Sequence, residues 1–468
     1  MSTDRSQHFD VIVIGSGGGS KITRPAANLG NRTAIIDSGY LGGTCLNHGC
    51  IPSKMLIHPA DIRLAIAESS KHELDVPIGT VRFKELVTRV TNTIMADSAK
   101  IAPGYESHPN ITYFPHHAKF VGPKTIEVNG ERITGDKIFI TVGAKAQIPY
   151  IPGLKDTPYL TYKEALRLTS QPKKMIILGA GYIACELGHF YGAMGTEVTY
   201  VVRSSFLRNE DQEVSEAITA NFQNRFTCHM KSEISQVTYE NGMFTVTIET
   251  LNGRFTEQAD ALLIATGVVP YTDELGLDTT GVSINAAGAI QVDDYMETSC
   301  KGIWAFGDVI GRYLFRHTAN FEGDYVCNTV FGGQDKKPIS YPPVPHAVFC
   351  NPQIAGVGAT EQALIQQNTP YFVGKNLYAH SGMGMALRST DEFVKLLFHR
   401  DTKTLLGAHI YGDEAATMIH MLIAMMGKKA TLDDLLGMIY IHPALPEVVR
   451  NAARKAKAAQ GYADKTNT

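Results

Sequence analysis

The chain carries almost no net charge: 43 Lys and Arg against 46 Asp and Glu leave −3 over 468 residues. Nothing in that balance argues for nucleic acid or for an anionic membrane surface as a partner. Long hydrophobic runs are missing too. Met1 to Phe9 is polar and the first apolar run, Val11–Ile14, is only strand-sized, so neither a signal peptide nor a transmembrane span is expected. Cysteine is sparse: seven residues, at 45, 50, 185, 228, 300, 327 and 350, an odd total with only the first two close together. That pattern does not suit a secreted disulfide framework. The other five read as small buried side chains in a reducing cytosol, so a cytoplasmic protein is expected. No internal repeat appears beyond one paired unit. What remains is ordinary for a globular chain, 44% hydrophobic and 19% charged, and too long for one core, which calls for roughly two to four domains.

Against that plain background one stretch stands out: Gly42-Gly43-Thr44-Cys45-Leu46-Asn47-His48-Gly49-Cys50-Ile51-Pro52-Ser53-Lys54. Two cysteines five positions apart, on the first turn of a helix, can face each other closely enough for a strained disulfide. The positive end of the helix dipole there favours a thiolate, and so a reversible electron store. A metal pair or a structural bridge is also compatible with the spacing alone.

Two dinucleotide fingerprints flank this stretch. Phe9–Ile14 reads as a buried parallel strand, followed by Gly15-Ser16-Gly17-Gly18-Gly19-Ser20, a helical stretch, and a second strand ending in Asp37. The glycines let the backbone approach a pyrophosphate at a helix N-terminus, and Asp37 can bind a ribose hydroxyl pair. Ser20 replaces the usual small third residue and Pro25 falls inside the helix, so a kinked or shifted helix is expected. The second unit begins at Met175–Leu178, with Gly179-Ala180-Gly181-Tyr182-Ile183-Ala184 opening a helix and Glu197–Val202 as the next strand. Between the units, residues 55–110 have the spacing of long surface helices, and 112–114, 120–121 and 125–128 suggest a small antiparallel meander. Ile138–Ala144 reads as a buried strand ending in glycine. From about Ser340 strands alternate with amphipathic helices, and Ala415 to Met426 is apolar nearly all round, so it must be covered by core or partner.

The segment GGTCLNHGCIPSK resembles the redox-active segment of the flavin-dependent pyridine nucleotide–disulfide oxidoreductases, the group of glutathione, mycothione and mercuric reductases and dihydrolipoyl dehydrogenase. Other matching motifs are Ala261–Gly267, Gly302–Asp308, Leu314–Gly323 and, near the C-terminus, His442-Pro443-Ala444-Leu445-Pro446-Glu447, whose surroundings look most like mycothione reductase. The resemblance implies an α/β fold with two Rossmann-like dinucleotide-binding domains (three-layer ββα type) and a C-terminal α+β dimerisation domain. The expected boundaries are 1–150 and 271–340 for FAD, 151–270 for the nicotinamide cofactor, 341–455 for the interface, and 456–468 as a flexible tail. It implies FAD at Gly15, Gly17, Gly18, Asp37, Gly43, Thr44, Thr141, Gly143, Gly307, Asp308 and Ala319, with Asp308 on the ribityl chain. The nicotinamide cofactor falls to Gly179, Gly181 and Gly267.

It also implies chemistry. Cys45 and Cys50 form the redox-active disulfide, Cys50 against the flavin and Cys45 as the interchange thiol. His442, oriented by Glu447, reaches into the partner's cystine as acid–base. Lys54 and Glu186 pair beneath the flavin, and Tyr182 shields it until nicotinamide enters. His317 is expected to be a packed histidine. An NAD site needs a carboxylate after the second strand of its unit, whereas Val202 is followed by Arg203, Ser204, Ser205 and Arg208, a phosphate clamp that favours NADPH. The expected enzyme is therefore a homodimer passing hydride from NADPH (or NADH) through FAD to a small disulfide or dithiol, with no nucleic-acid or membrane partner. Dihydrolipoyl dehydrogenase running with NAD+ is the alternative, followed by an electron donor to quinones or metals, or a non-enzymatic subunit of a lipoyl complex. The mercury variant is disfavoured because no cysteine follows Cys350. No residue selects among thiol substrates, although His48 and the loop Ser381–Met385 could influence access.

Overall fold

A computed structural model describes residues 7–333 and 336–466, with side chains to residue 460. Three sheets carry the architecture. In the first, strands Ile111–Phe114, Thr33–Ile36, Gln7–Ile14 and Glu131–Ile140 run parallel, and Ile303–Ala305 joins Glu131–Ile140 in the same direction. Thr125–Val128 and Ala118–Gly122 extend it antiparallel. The central strands are buried on both faces, as Val11, Ile12, Val13, Ile138 and Phe139 show, which is why they read as unbroken apolar runs. Ile111–Phe114 is therefore not part of an antiparallel meander: it pairs parallel with Thr33–Ile36. A four-residue run carries too little pattern to reveal its direction.

The second sheet is wholly parallel, in the order Thr227–Met230, Glu197–Val202, Lys174–Leu178, Ala261–Ile264. A three-stranded antiparallel sheet, Glu233–Glu240, Met243–Thr250 and Gly253–Ala259, covers it. The third is a five-stranded antiparallel sheet from Pro345 to Tyr411, backed by the helices Ala415–Gly427 and Pro446–Thr466. Ala415, Met418, Ile419 and Leu422 of the apolar helix are buried in this core. The C-terminal helix is one element to Thr466, so much of the segment expected as a tail is helical. Two nucleotide-type α/β units and a C-terminal α+β unit are thus present. Among the described residues no helix is long and apolar enough to cross a membrane.

The helix Ser16–Asn28 is continuous through Pro25. Ser20 fits because its Oγ donates to Gly17 O at 2.9 Å, and the close helix–strand approach falls instead at Gly19, where a Cβ would sit 2.4 Å from Val13 Cγ1.

Candidate active site

The two cysteines lie on consecutive short and long helices rather than on one first turn. Cys45 is in Gly43–His48, and Cys50 opens Cys50–Ala67 after a break at Gly49. Both are free thiols, the reduced half of the couple that the resemblance implies as a disulfide. They are in hydrogen-bond contact, and their acidities diverge. Cys50 is lowered to about 7, first because the Cys45 thiol donates to it and then through the Lys54 charge, against the opposing effect of burial. Cys45 is pushed up by that same hydrogen bond, by burial and by the Cys50 charge, although Arg316 opposes the rise. The thiolate therefore belongs to Cys50, at a helix N-terminus.

Lys54, one turn beyond Cys50, brackets Glu186: its Nζ lies 2.8 and 2.7 Å from the two carboxylate oxygens. Phe349 holds both partners, donating its backbone N–H to Glu186 at 3.1 Å and placing its ring 4.3 Å from the Lys54 ammonium. Tyr182 stands one turn before Glu186 on the helix Tyr182–Met194.

The two glycine turns are built alike. Gly15 (φ +96°) and Gly179 (φ +131°) each pass under the end of a neighbouring strand. A Cβ would fall 2.6 Å from Thr141 O at the first and 2.2 Å from Ala265 O at the second. Asp37 accepts the backbone N–H of Ser16 at 2.7 Å and of Gly39 at 2.9 Å, tying the end of its strand to the first turn. Asp308 accepts no hydrogen bond at its carboxylate among the described residues; burial and then Glu322 push it up to about 6, against the opposing charge of Arg316. Arg203 and Arg208 follow the strand Glu197–Val202 with no carboxylate within 4 Å among the described residues.

All the residues expected at the site, except His442 and Glu447, line one cavity of about 2000 Å³. His442 and Glu447 lie apart from that cavity and together. His442 Nδ1 is 3.0 Å from Glu447 Oε2, and Arg450 donates to Oε1 at 2.7 Å. Glu447 lies in the first turn of the last helix, and its carboxyl is held low: burial would raise it, but His442, the Ala444 N–H and Arg450 prevail. The imidazole itself is 75% exposed, beside Ile439 and Ile441 at 100% and 80%, so it projects outward from its own subunit.

Sequence reasoning missed several residues. Phe349 and the pair Glu210–His346 carry no local motif and enter the cavity from distant segments, and Arg316, inside the matched Leu314–Gly323 segment, was given no role there. His317, expected as a packed residue, stacks on Phe315 at 5.2 Å and reaches Pro345 O at 2.9 Å. His48, lowered to about 4 by burial and by Arg167 and Lys163, is a neutral imidazole in the cavity wall at neutral pH.

Two dinucleotide turns opening onto one dithiol define a nucleotide-dependent thiol redox enzyme. Residues 9–323 match the pyridine nucleotide-disulphide oxidoreductase family and residues 344–453 match its dimerisation domain. The chain belongs to the pyridine nucleotide-disulphide oxidoreductases, flavoenzymes that use FAD and NAD(P)H. It is 34% identical over 457 residues to mycothione reductase of Mycobacterium tuberculosis, covering 95% of this chain and 98% of that one. Dihydrolipoyl dehydrogenase of Chlorobaculum parvum is 32% identical, with 98% and 100% covered. The HOCl-induced flavoprotein disulfide reductase RclA from Escherichia coli superposes with a TM-score of 0.83 at 26% identity, covering 96% of this chain and 99% of that one.

Proposed function

We propose that the enzyme draws on NADPH to reduce a small cellular disulfide at the Cys45–Cys50 pair, in the manner of a mycothione or glutathione reductase. The observation that carries this reading is the split acidity of the pair inside a cavity shared by both glycine turns. The fit to two dinucleotides rests on the excluded Cβ positions at Gly15 and Gly179, the unpaired Asp308 carboxylate and the unpaired guanidiniums of Arg203 and Arg208. The Gly15–Gly18 turn, with Asp37, Gly43, Thr44, Thr141, Gly143, Gly307, Asp308 and Ala319, would hold FAD. Gly179, Gly181 and Gly267, with Arg203 and Arg208 on the 2′-phosphate, would hold NADPH. Bound FAD supplies electron relay between the nicotinamide and the cysteine pair.

The protein's own residues then do the thiol chemistry. Cys50, kept as thiolate by Cys45 and Lys54, faces the relay. The partner subunit's His442 takes the Cys45 proton, and Cys45 sulfur attacks the substrate disulfide. One thiolate leaves, receives that proton from the imidazolium, and a mixed disulfide on Cys45 remains. Cys50 sulfur attacks Cys45, the second substrate thiolate leaves and takes a proton, and the Cys45–Cys50 disulfide is restored. Each turnover thus consumes two electrons and two protons per disulfide cleaved. Glu447 orients the imidazole through its Nδ1. We place the homodimer in the cytoplasm, on the five scattered cysteines that remain unpaired.

A second reading, oxidation of dihydrolipoamide with NAD+, draws support from the relative named dihydrolipoyl dehydrogenase at 32% identity. Steady-state rates with lipoamide, glutathione disulfide and mycothione, each with NADPH and NADH, separate the two. The expected result is a kcat/KM for NADPH about ten-fold or more above that for NADH, lost in Arg203→Ala. Equal or better use of NADH overturns the coenzyme assignment.

A further inference from the structure

Tyr182 is not simply a ring in the cavity wall. Its hydroxyl donates to Glu210 Oε1 at 2.6 Å, and His346 Nε2 lies 2.6 Å from the other oxygen of that carboxylate. The Glu210 side chain is 3% exposed. Burial alone would raise its carboxyl, but His346 and then the Tyr182 hydroxyl hold it below the usual range, so it serves as a charged acceptor. The rings reinforce the arrangement: Phe315 stacks on Tyr182 at 6.1 Å and on His346 at 6.4 Å.

The acceptor has a rigid backing. Gln362 donates to the Glu210 backbone carbonyl at 2.6 Å, and the next residue, Asp211, is bonded to the buried Lys395 at 2.9 Å. His346 comes from the C-terminal sheet, 136 residues from Glu210. Tyr182, by contrast, opens a helix immediately after the second glycine turn, one turn before the Glu186 that pairs with Lys54. The ring thus stands on the helix that leads from that turn to the Glu186–Lys54 pair, within the same cavity.

We propose that Glu210 and His346 are positioning residues that latch Tyr182 closed, so that entry of the nicotinamide end requires rupture of the Tyr182–Glu210 hydrogen bond. This rests on the nicotinamide reading of the second turn. The latch opposes only the nicotinamide end; the adenosine 2′-phosphate end does not meet it.

Calorimetric binding of NADP+ and of adenosine 2′,5′-bisphosphate to the oxidised holoenzyme tests this. Tyr182→Phe keeps the ring and removes the bond, and should tighten NADP+ about ten-fold while the bisphosphate stays within about two-fold. Glu210→Gln, in which the acceptor loses its charge, should shift NADP+ in the same direction. Unchanged NADP+ binding in both variants, or equal shifts for both ligands, overturns the latch. So does a lower Tm with unaltered binding, the result of a purely structural hydroxyl. If wild-type enzyme binds the bisphosphate but the variants show no differential effect, the latch alone fails. If wild type binds neither ligand, the nicotinamide reading falls and the latch with it.

Discussion

The hydrogen bond between the two thiols splits their acidity: half-buried Cys45 is pushed up, while Cys50, an exposed helix-opening residue near Lys54, is held low. Which sulfur holds the charge decides which can meet a flavin and which waits for a base. In the reduced holoenzyme a thiolate against oxidised flavin gives a long-wavelength absorbance band. Because Cys50 is neutral below its pKa and charged above it, that band should rise as pH increases through about 7. Cys45→Ser should keep the band and abolish turnover, and Cys50→Ser should lose it; retained turnover in both would refute the assignment. The residues of this site were readable because each sits in a dense local motif. Glu210 and His346 were not, since neither has a neighbour in sequence that hints at the other. The fingerprint marks position 20 for close helix–strand packing, whereas that packing lies at Gly19 and Ser20 instead bonds to Gly17 O.

The elements show where pattern suffices and where it does not. The central parallel strands of both nucleotide units announce themselves as apolar runs ending in glycine turns, because strands buried on both faces leave no polar alternation. The short strand Ile111–Phe114 has no such signature and its parallel pairing had to be seen. Nor does sequence reveal how the helix Gln212–Arg225 is pinned to the C-terminal sheet. Lys395, 1% exposed, holds Asp211, 0% exposed, together with Glu213 and Glu361. Asp211 is also the N-cap of that helix, accepting from the Glu213 N–H at 3.2 Å. Removing the cation leaves the buried Asp211 carboxylate without its ion-pair partner, held only by the Glu213 and Glu361 N–H groups, which costs about 3–5 kcal/mol. Lys395→Met should therefore lower the unfolding free energy by that amount in thermal or denaturant melts. A loss under about 1 kcal/mol would mean the cluster is not the clamp its burial implies.

At the scale of the whole molecule, one chain does not bring its His442–Glu447 pair to the cavity that holds its own cysteines. Both cysteines line the cavity, whereas the His442–Glu447 pair stands outside it, with an exposed imidazole flanked by exposed Ile439 and Ile441. Apolar side chains so placed, on a matched dimerisation domain, are what a partner would cover. The motif around His442 was legible as chemistry; its reach toward a partner's cysteines was an expectation from the resemblance alone, because spacing within a segment says nothing about which subunit it serves. The direct test is a hybrid dimer, made by co-expressing differently tagged Cys45→Ser and His442→Ala chains and purified through both tags. Each parent homodimer should be inactive in NADPH-dependent disulfide reduction, whereas the hybrid, with one intact cysteine pair facing one intact imidazole, should recover about half of the wild-type rate per dimer. A hybrid as inactive as its parents, or a parent that keeps turnover, would contradict a thiol pair completed by the neighbouring subunit.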